Sequence, residues 1–192
     1  SYRDLNIAFA NELSIICDRL SVNHKELISL ANKHPRVNIL DPGCGVGGHC
    51  IAVDPWFLIS ELPEETRLIK KSRETNLNKT QWVIEKIEQE CESLENKLKR
   101  SIEIGCFGLA FKPNIDDLRE SPALEIVSNL IKNKKRVLVC EPNLENYTFP
   151  LHSSKKLVQE MDLLIFLVAH DEFKLLNLKN KNVLDFCGVF NS

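Results

Sequence analysis

In the segment GCGVGGHCIAVD, residues 43–54, Cys50 is followed four residues later by Asp54 and preceded by His49. A cysteine acts as a nucleophile through its thiolate, so its electrostatic surroundings decide its chemistry. If a helix begins near Cys50, the four-residue spacing puts thiol and carboxylate on one face, and the helix N-terminus favours the thiolate. That arrangement suits a covalent thiol mechanism. Four of the chain's seven glycines, Gly43, Gly45, Gly47 and Gly48, lie here. Such a density rules out a helix or strand interior and lets backbone N–H groups approach an anionic intermediate or a phosphate. The Lys-Ser/Thr pair of a nucleoside-triphosphate P-loop is absent. Two other readings stay open: Cys50 as a small buried hydrophobe beside a tight turn, and Cys44, His49 and Cys50 as metal ligands, for which no second ligand pair exists elsewhere.

A second constellation is FKPNIDDLRESPA, residues 111–123. It follows the apolar run SIEIGCFGLAF, and ligands of open parallel sheets bind at the carboxyl ends of strands. Lys112 and Arg119 are presented there just ahead of a helix N-terminus, the composition of an anion site. The alternative is a solvated loop in which Asp116, Asp117, Arg119 and Glu120 pair with one another. Gly105-x-x-Gly108 is only a fragment of a dinucleotide fingerprint.

The elements that must position these residues fall into two parts. Phe9, Leu13, Ile16 and Leu20 recur at spacings of four, three and four, the apolar stripe of an amphipathic helix. A second helix is expected over about 24–33, and a long one from about Glu64 to Lys99. In that long helix Ile84, Ile87, Cys91, Leu94 and Leu98 form a seam expected to pack on another helix, that of a second copy of the chain. After Arg100 the pattern changes to short apolar runs, SIEIGCFGLAF, RVLVCEP and DLLIFLVAH, with a helix around Ala123–Lys132 between the first two. Strand, helix, strand in this order implies a parallel sheet. Ser121-Pro122 is a well-formed helix start. The reading is an α/β chain: a helical part over 1–99 carrying the cysteine loop, and a Rossmann-like parallel-sheet part over 100–192.

Composition narrows the function. With 25 basic and 27 acidic residues the net charge is −2, so no basic excess exists for nucleic acid or an anionic membrane. Seven cysteines with no CxxC read as reduced, cytoplasmic thiols. No apolar run approaches the roughly 18 residues of a membrane span. Residue 1 is Ser and the helical pattern is already running at Leu5, which reads as a segment of a longer chain.

The stretches YRDLNIAFANEL, ANKHPRVNILDPGCGVGGHCIAVDPWF and GLAFKPNIDDLRESPA resemble the UDP-glucose/GDP-mannose dehydrogenases, and within them the bacterial branch acting on UDP-N-acetyl-D-mannosamine. The resemblance spans residues 2–123 specifically and continues as pattern beyond about 145. It implies a helical dimerisation domain followed by a UDP-sugar-binding domain, with NAD bound mainly by a further domain outside this chain. The implied reaction is a two-step oxidation of the sugar C6 alcohol to a carboxylate through a cysteine thiohemiacetal and thioester, in cell-surface polysaccharide precursor synthesis.

By the same resemblance Cys50 is the nucleophile and Asp54 orients or helps deprotonate water. Phe111, Lys112, Gly43 and Gly47 hold the UDP-sugar, and Arg119 reaches NAD. Arg3, His34 and Arg36 contact the sugar nucleotide, some across a homodimer; arginine suits a pyrophosphate by bidentate hydrogen bonding. Three departures accompany it. The family's acid/base lysine and companion asparagine lie ahead of residue 1, a usual basic residue is Cys187, and a usual loop proline is Cys44. The expectation is a chain that does not turn over alone. A UDP-N-acetylglucosamine enzyme is the rival of the same class, and a non-catalytic sugar-nucleotide-binding or dimerisation module the rival of another.

Overall fold

Four short runs rich in branched side chains become parallel strands: β1 (Glu103–Phe107), β2 (Arg136–Cys140), β3 (Leu163–Phe166) and β4 (Asn182–Asp185), in the order β2-β1-β3-β4. The computed structural model describes residues 1–133 and 136–190. Ile104 pairs with Val137 on one side and Leu163 on the other, and Leu164 pairs with Val183. Because strand side chains alternate between faces, Ile104, Cys106, Leu163 and Ile165 join one apolar cluster while Phe107, Leu164 and Phe166 join another.

The helices are α1 (Tyr2–Arg19), α2 (His24–Ala31), α3 (Asp54–Glu61), α4 (Arg67–Leu98), α5 (Pro122–Lys132) and α6 (Ser154–Glu160). α5 starts as the sequence predicts: the Ser121 hydroxyl accepts the Leu124 N–H and donates to the Leu109 carbonyl at 2.6 Å, with proline in the first turn. Its buried Ile126, Val127 and Leu130 cover one face of the sheet. Leu157 and Met161 of the α6 region, with Phe173, cover the other.

Two helix faces depart from expectation. The seam on α4 is covered inside the chain: Ile84, Ile87, Cys91 and Leu94 are buried in the cluster that α5, β1 and β3 complete, so no second copy is needed to cover it. On α1 the apolar stripe faces outward, with Phe9 55% and Leu20 68% exposed. The buried face instead carries Asp4, Ala8, Asn11 and Ser14 against Arg73, Asn76, Lys79 and Thr80 of α4. The physical reason is a hydrogen-bonded polar layer between these helices. Arg73 donates to Asp4 at 2.7 Å, Asn76 donates to the same carboxylate at 2.8 Å, and Asn11 donates to Asn76 at 2.9 Å.

Candidate active site

The glycine segment is a loop gripped from both sides. On one side the Gly43 N–H donates to Asn11 Oδ1, and the Thr80 hydroxyl donates to the Cys44 carbonyl, both at 2.9 Å. On the other, the Gly48 N–H donates to the Arg119 carbonyl at 2.9 Å. Side chains are excluded at the closest approaches. Gly45 has φ +146°, and a Cβ there would lie 2.5 Å from Thr80 Oγ1. At Gly47 it would lie 2.6 Å from both the Glu120 carbonyl and Phe111 Cβ. The two sequence constellations are therefore one site, with the 43–48 loop lying against residues 111–122.

Cys50 is exposed, which removes the reading of a buried hydrophobe. The helix that follows starts at Asp54 rather than at Cys50. Residues 49–53 form hydrogen-bonded turns in which the Cys50 carbonyl accepts the N–H groups of Val53 and Asp54, at 3.2 and 2.8 Å. Cys50 thus sits one turn ahead of α3, whose first turn is set by Pro55, and Asp54 is exposed on that turn.

Arg119 is an exposed cation on the second loop. Its guanidinium pairs with Asp117, whose carboxyl it holds down at about 2, and it interacts electrostatically with Cys50. Part of the solvated-loop reading therefore holds, because Arg119 does satisfy Asp117. Lys112 stays exposed, its ammonium 5.9 Å from the Phe111 ring centroid.

Between the loops lies a cavity of about 160 Å³ bordered by Gly43, Cys44, Phe111, Lys112, Leu167 and Cys187. It shares Pro42, Ala169 and Cys187 with a larger cavity of about 450 Å³ that Lys25 and Lys174 also border. Cys44 is buried, its sulfur 3.5 Å from the Leu167 carbonyl, and burial pushes its thiol up to about 12. It is closed off from solvent where Cys50 is open. The two thiols have different surroundings, and among the described residues no group of three or more His, Cys, Asp or Glu side chains converges on a metal position. Burial likewise raises the Cys187 thiol. The remaining cysteines, Cys17, Cys91, Cys106 and Cys140, are buried in the core.

The glycine turn after β1 is already occupied from within. Glu141, at the end of β2, accepts the N–H groups of Leu109 and Ala110 at 2.7 and 3.1 Å and contacts His170 Nε2 at 3.1 Å. Burial alone would raise this carboxyl, but the His170 ring and the N–H groups of Leu109 and Asn143 hold it down at about 2. That turn consequently offers a dinucleotide pyrophosphate no open N–H groups at Leu109 and Ala110; Arg119, the residue expected to meet NAD, is exposed. His170 Nδ1 accepts the Asn114 N–H at 3.0 Å, and Asp171 accepts from Asn114 Nδ2 at 2.7 Å, fixing the loop that bears Phe111 and Lys112.

Arg3, on the first turn of α1, and His34 and Arg36, on the loop after α2, are exposed and border neither cavity. The loop bearing His34 and Arg36 is shaped by Asn32, which exchanges two hydrogen bonds with Ile39. Sequence reasoning missed Asn11, Thr80, Glu141 and His170. The first two had a signal: Asp4, Asn11 and Ser14 repeat at helical spacing, as do Arg73, Asn76 and Thr80.

Residues 1–78 match the central domain of the UDP-glucose/GDP-mannose dehydrogenase family, and residues 105–192 match that family's UDP binding domain. A UDP-N-acetyl-D-mannosamine dehydrogenase of Campylobacter jejuni is 50% identical over 97% of this chain and 46% of its own length. Its counterpart in Escherichia coli K12 is 48% identical over 99% of this chain and 48% of its own. Among solved structures, the UDP-N-acetyl-mannosamine dehydrogenase Cap5O from S. aureus superposes with TM-score 0.86 at 38% identity, covering 100% of this chain and 46% of that one. The chain spans about half the length of the curated relatives it matches.

Proposed function

The chain belongs to the UDP-glucose/GDP-mannose dehydrogenase family, and from that premise we propose that it forms the substrate half of an NAD-dependent UDP-N-acetyl-D-mannosamine 6-dehydrogenase. The observation that carries this reading is the convergence of the 43–48 loop on residues 111–122, with the open thiol of Cys50 beside Arg119. The sugar nucleotide lies between these loops, with Lys112 meeting its phosphates. Arg3, His34 and Arg36 contact the ligand, some of them from a second copy of the chain.

Cys50 is the covalent catalyst. The C6 alcohol first loses a hydride from carbon and a proton from oxygen to give the aldehyde; the Cys50 thiolate then adds to it, forming a C–S bond while the aldehyde oxygen takes up a proton to give a thiohemiacetal. Loss of hydride from carbon and of the proton from oxygen leaves a thioester on the same sulfur. Asp54 orients a water that attacks this carbonyl; the C–S bond breaks, the carboxylate forms and the thiol is restored. When bound, NAD would supply the oxidant, two NAD molecules in turn each taking up one of the two hydrides that leave C6. Arg119, at the edge next to Cys50, meets NAD.

A second copy of the chain packs on the outward stripe of α1, where Phe9, Ile16 and Leu20 are exposed. Sedimentation at micromolar concentration is expected to show a dimer, and a monomer refutes this surface.

Calorimetric titration with UDP-N-acetyl-D-mannosamine is expected to show saturable binding, weaker with UDP-N-acetylglucosamine. These 192 residues with NAD added are expected to produce no NADH absorbance. Tighter binding of UDP-N-acetylglucosamine moves the substrate to that sugar, and the absence of any binding overturns the reading.

A further inference from the structure

A helix pair of this size is ordinarily joined by carbon. The α1–α4 contact is instead a buried polar layer: Asp4, Asn11, Arg73 and Asn76 are each at most 3% exposed. Taking such groups out of water is costly, and replacement by apolar residues is often neutral or better for stability. The layer is not even internally complete, since Asp4 Oδ2 and Arg73 Nε find no partner among the described residues. What it does have is direction.

Asp4, paired with Arg73, only accepts hydrogen bonds. Asn76 must therefore turn its NH₂ toward Asp4, which leaves its carbonyl to accept from the Asn11 NH₂. That in turn leaves Asn11 Oδ1 to accept the Gly43 N–H. One turn further along α4, the Thr80 hydroxyl donates to the carbonyl of the next residue, Cys44, and its oxygen occupies the space that excludes a side chain at Gly45. The layer ends on two consecutive residues of the loop and orients a donor on one and an acceptor on the other.

We propose that Asn11 and Thr80 are positioning residues for the sugar-nucleotide loop: they transmit the fixed geometry of the α1–α4 layer to residues 43–45, and through them to Cys50. This rests on the reading that the loop lines the substrate cleft. Neither residue borders the cavity between the loops.

The test uses this chain with Thr80→Val, which keeps volume and removes the hydroxyl, and Thr80→Ser, which keeps the hydroxyl. Three readouts are taken: melting, amide hydrogen exchange, and the dissociation constant for UDP-N-acetyl-D-mannosamine. Thr80→Val is expected to speed exchange of the amides of residues 43–48 by about tenfold and to raise the dissociation constant by about tenfold, the size of one lost hydrogen bond. Helical amides of α1 and α4 are expected to exchange as before, and Thr80→Ser is expected to restore both changes. Asn11→Ala, the harsher variant, is expected to release the Gly43 amide in particular.

Exchange that rises equally along α1 and α4, or a Thr80→Val protein whose loop exchange and affinity are unchanged, overturns the proposal. If the unaltered chain binds no UDP-N-acetyl-D-mannosamine, the functional reading fails, and the confinement of faster exchange to residues 43–48 still decides whether Thr80 and Asn11 position the loop.

Discussion

The two halves of α4 present one continuous face with opposite chemistry. At Arg73, Asn76 and Thr80 the buried positions carry charge, amide and hydroxyl, while at Val83, Ile84, Ile87, Cys91 and Leu94 the same face carries carbon and sulfur. The second half joins α5, β1 and β3 in the main apolar cluster. The first half joins α1 and reaches the glycine loop. Apolar burial is strong and non-directional, so it holds elements together without fixing a peptide group's orientation. Hydrogen bonds contribute less net free energy but specify which donor meets which acceptor. One half of the helix supplies cohesion and the other aims the loop that carries Cys50.

The sharpest way to break this comparison is to remove one member of the polar half. Asp4→Ala leaves the Arg73 charge, 3% exposed, without its partner, and is expected to cost about 4 kcal/mol in urea unfolding. Replacing both, Asp4→Leu with Arg73→Met, is expected to recover most of that stability while leaving the loop amides fast-exchanging. If the double variant retains slow loop exchange, direction is not what the polar half supplies.

In the apolar half, Ile87→Ala at a fully buried position is expected to cost about 3 kcal/mol. It should leave the affinity for UDP-N-acetyl-D-mannosamine within about twofold, since an isotropic contact is lost rather than an oriented one. A larger loss of affinity would mean that cohesion and aim are not separable along α4.

A smaller effect comes from the other buried polar cluster, around Glu141. Its folded carboxyl is held at about 2, below the usual range for glutamate. The stability this contributes is complete above the unfolded value and is lost as pH falls toward the folded one. Between pH 7 and pH 3 the loss is expected to be about 2 kcal/mol. Thermal melts of Glu141→Gln should lack this part of the acid dependence, and equal slopes for the two proteins would contradict it.

Much of the sheet was legible because its signals are local. The short apolar runs SIEIGCFGLAF, RVLVCEP and DLLIFLVAH announce β1, β2 and β3, and Ser121-Pro122 announces α5 through its own cap. The outward face of α1 was not legible, because a helix with two stripes does not say which one is covered. Leu13 and Ile16 mark one face, Asn11 and Ser14 another, and only the partner residues on α4, some 65 positions away, settle the choice. The seam on α4 failed for the same reason: its period is local, but its partners on α5 and the sheet are not. The start of α3 was misplaced because Cys50 and Asp54 have the right spacing while the intervening residues form turns. For the candidate site, sequence presented two loops with suitable chemistry, but their contact, Gly48 N–H on the Arg119 carbonyl, joins positions 71 residues apart and has no local signature.

We propose that these two loops form a single sugar-nucleotide cleft with Cys50 at its open side. The most direct measurement is a crystal structure of this chain with UDP-N-acetyl-D-mannosamine. The nucleotide is expected between Gly43–Gly47 and Phe111–Lys112, with sugar C6 toward the Cys50 sulfur. A nucleotide bound at the turn after β1, with Glu141 displaced from the Leu109 and Ala110 N–H groups, would contradict it.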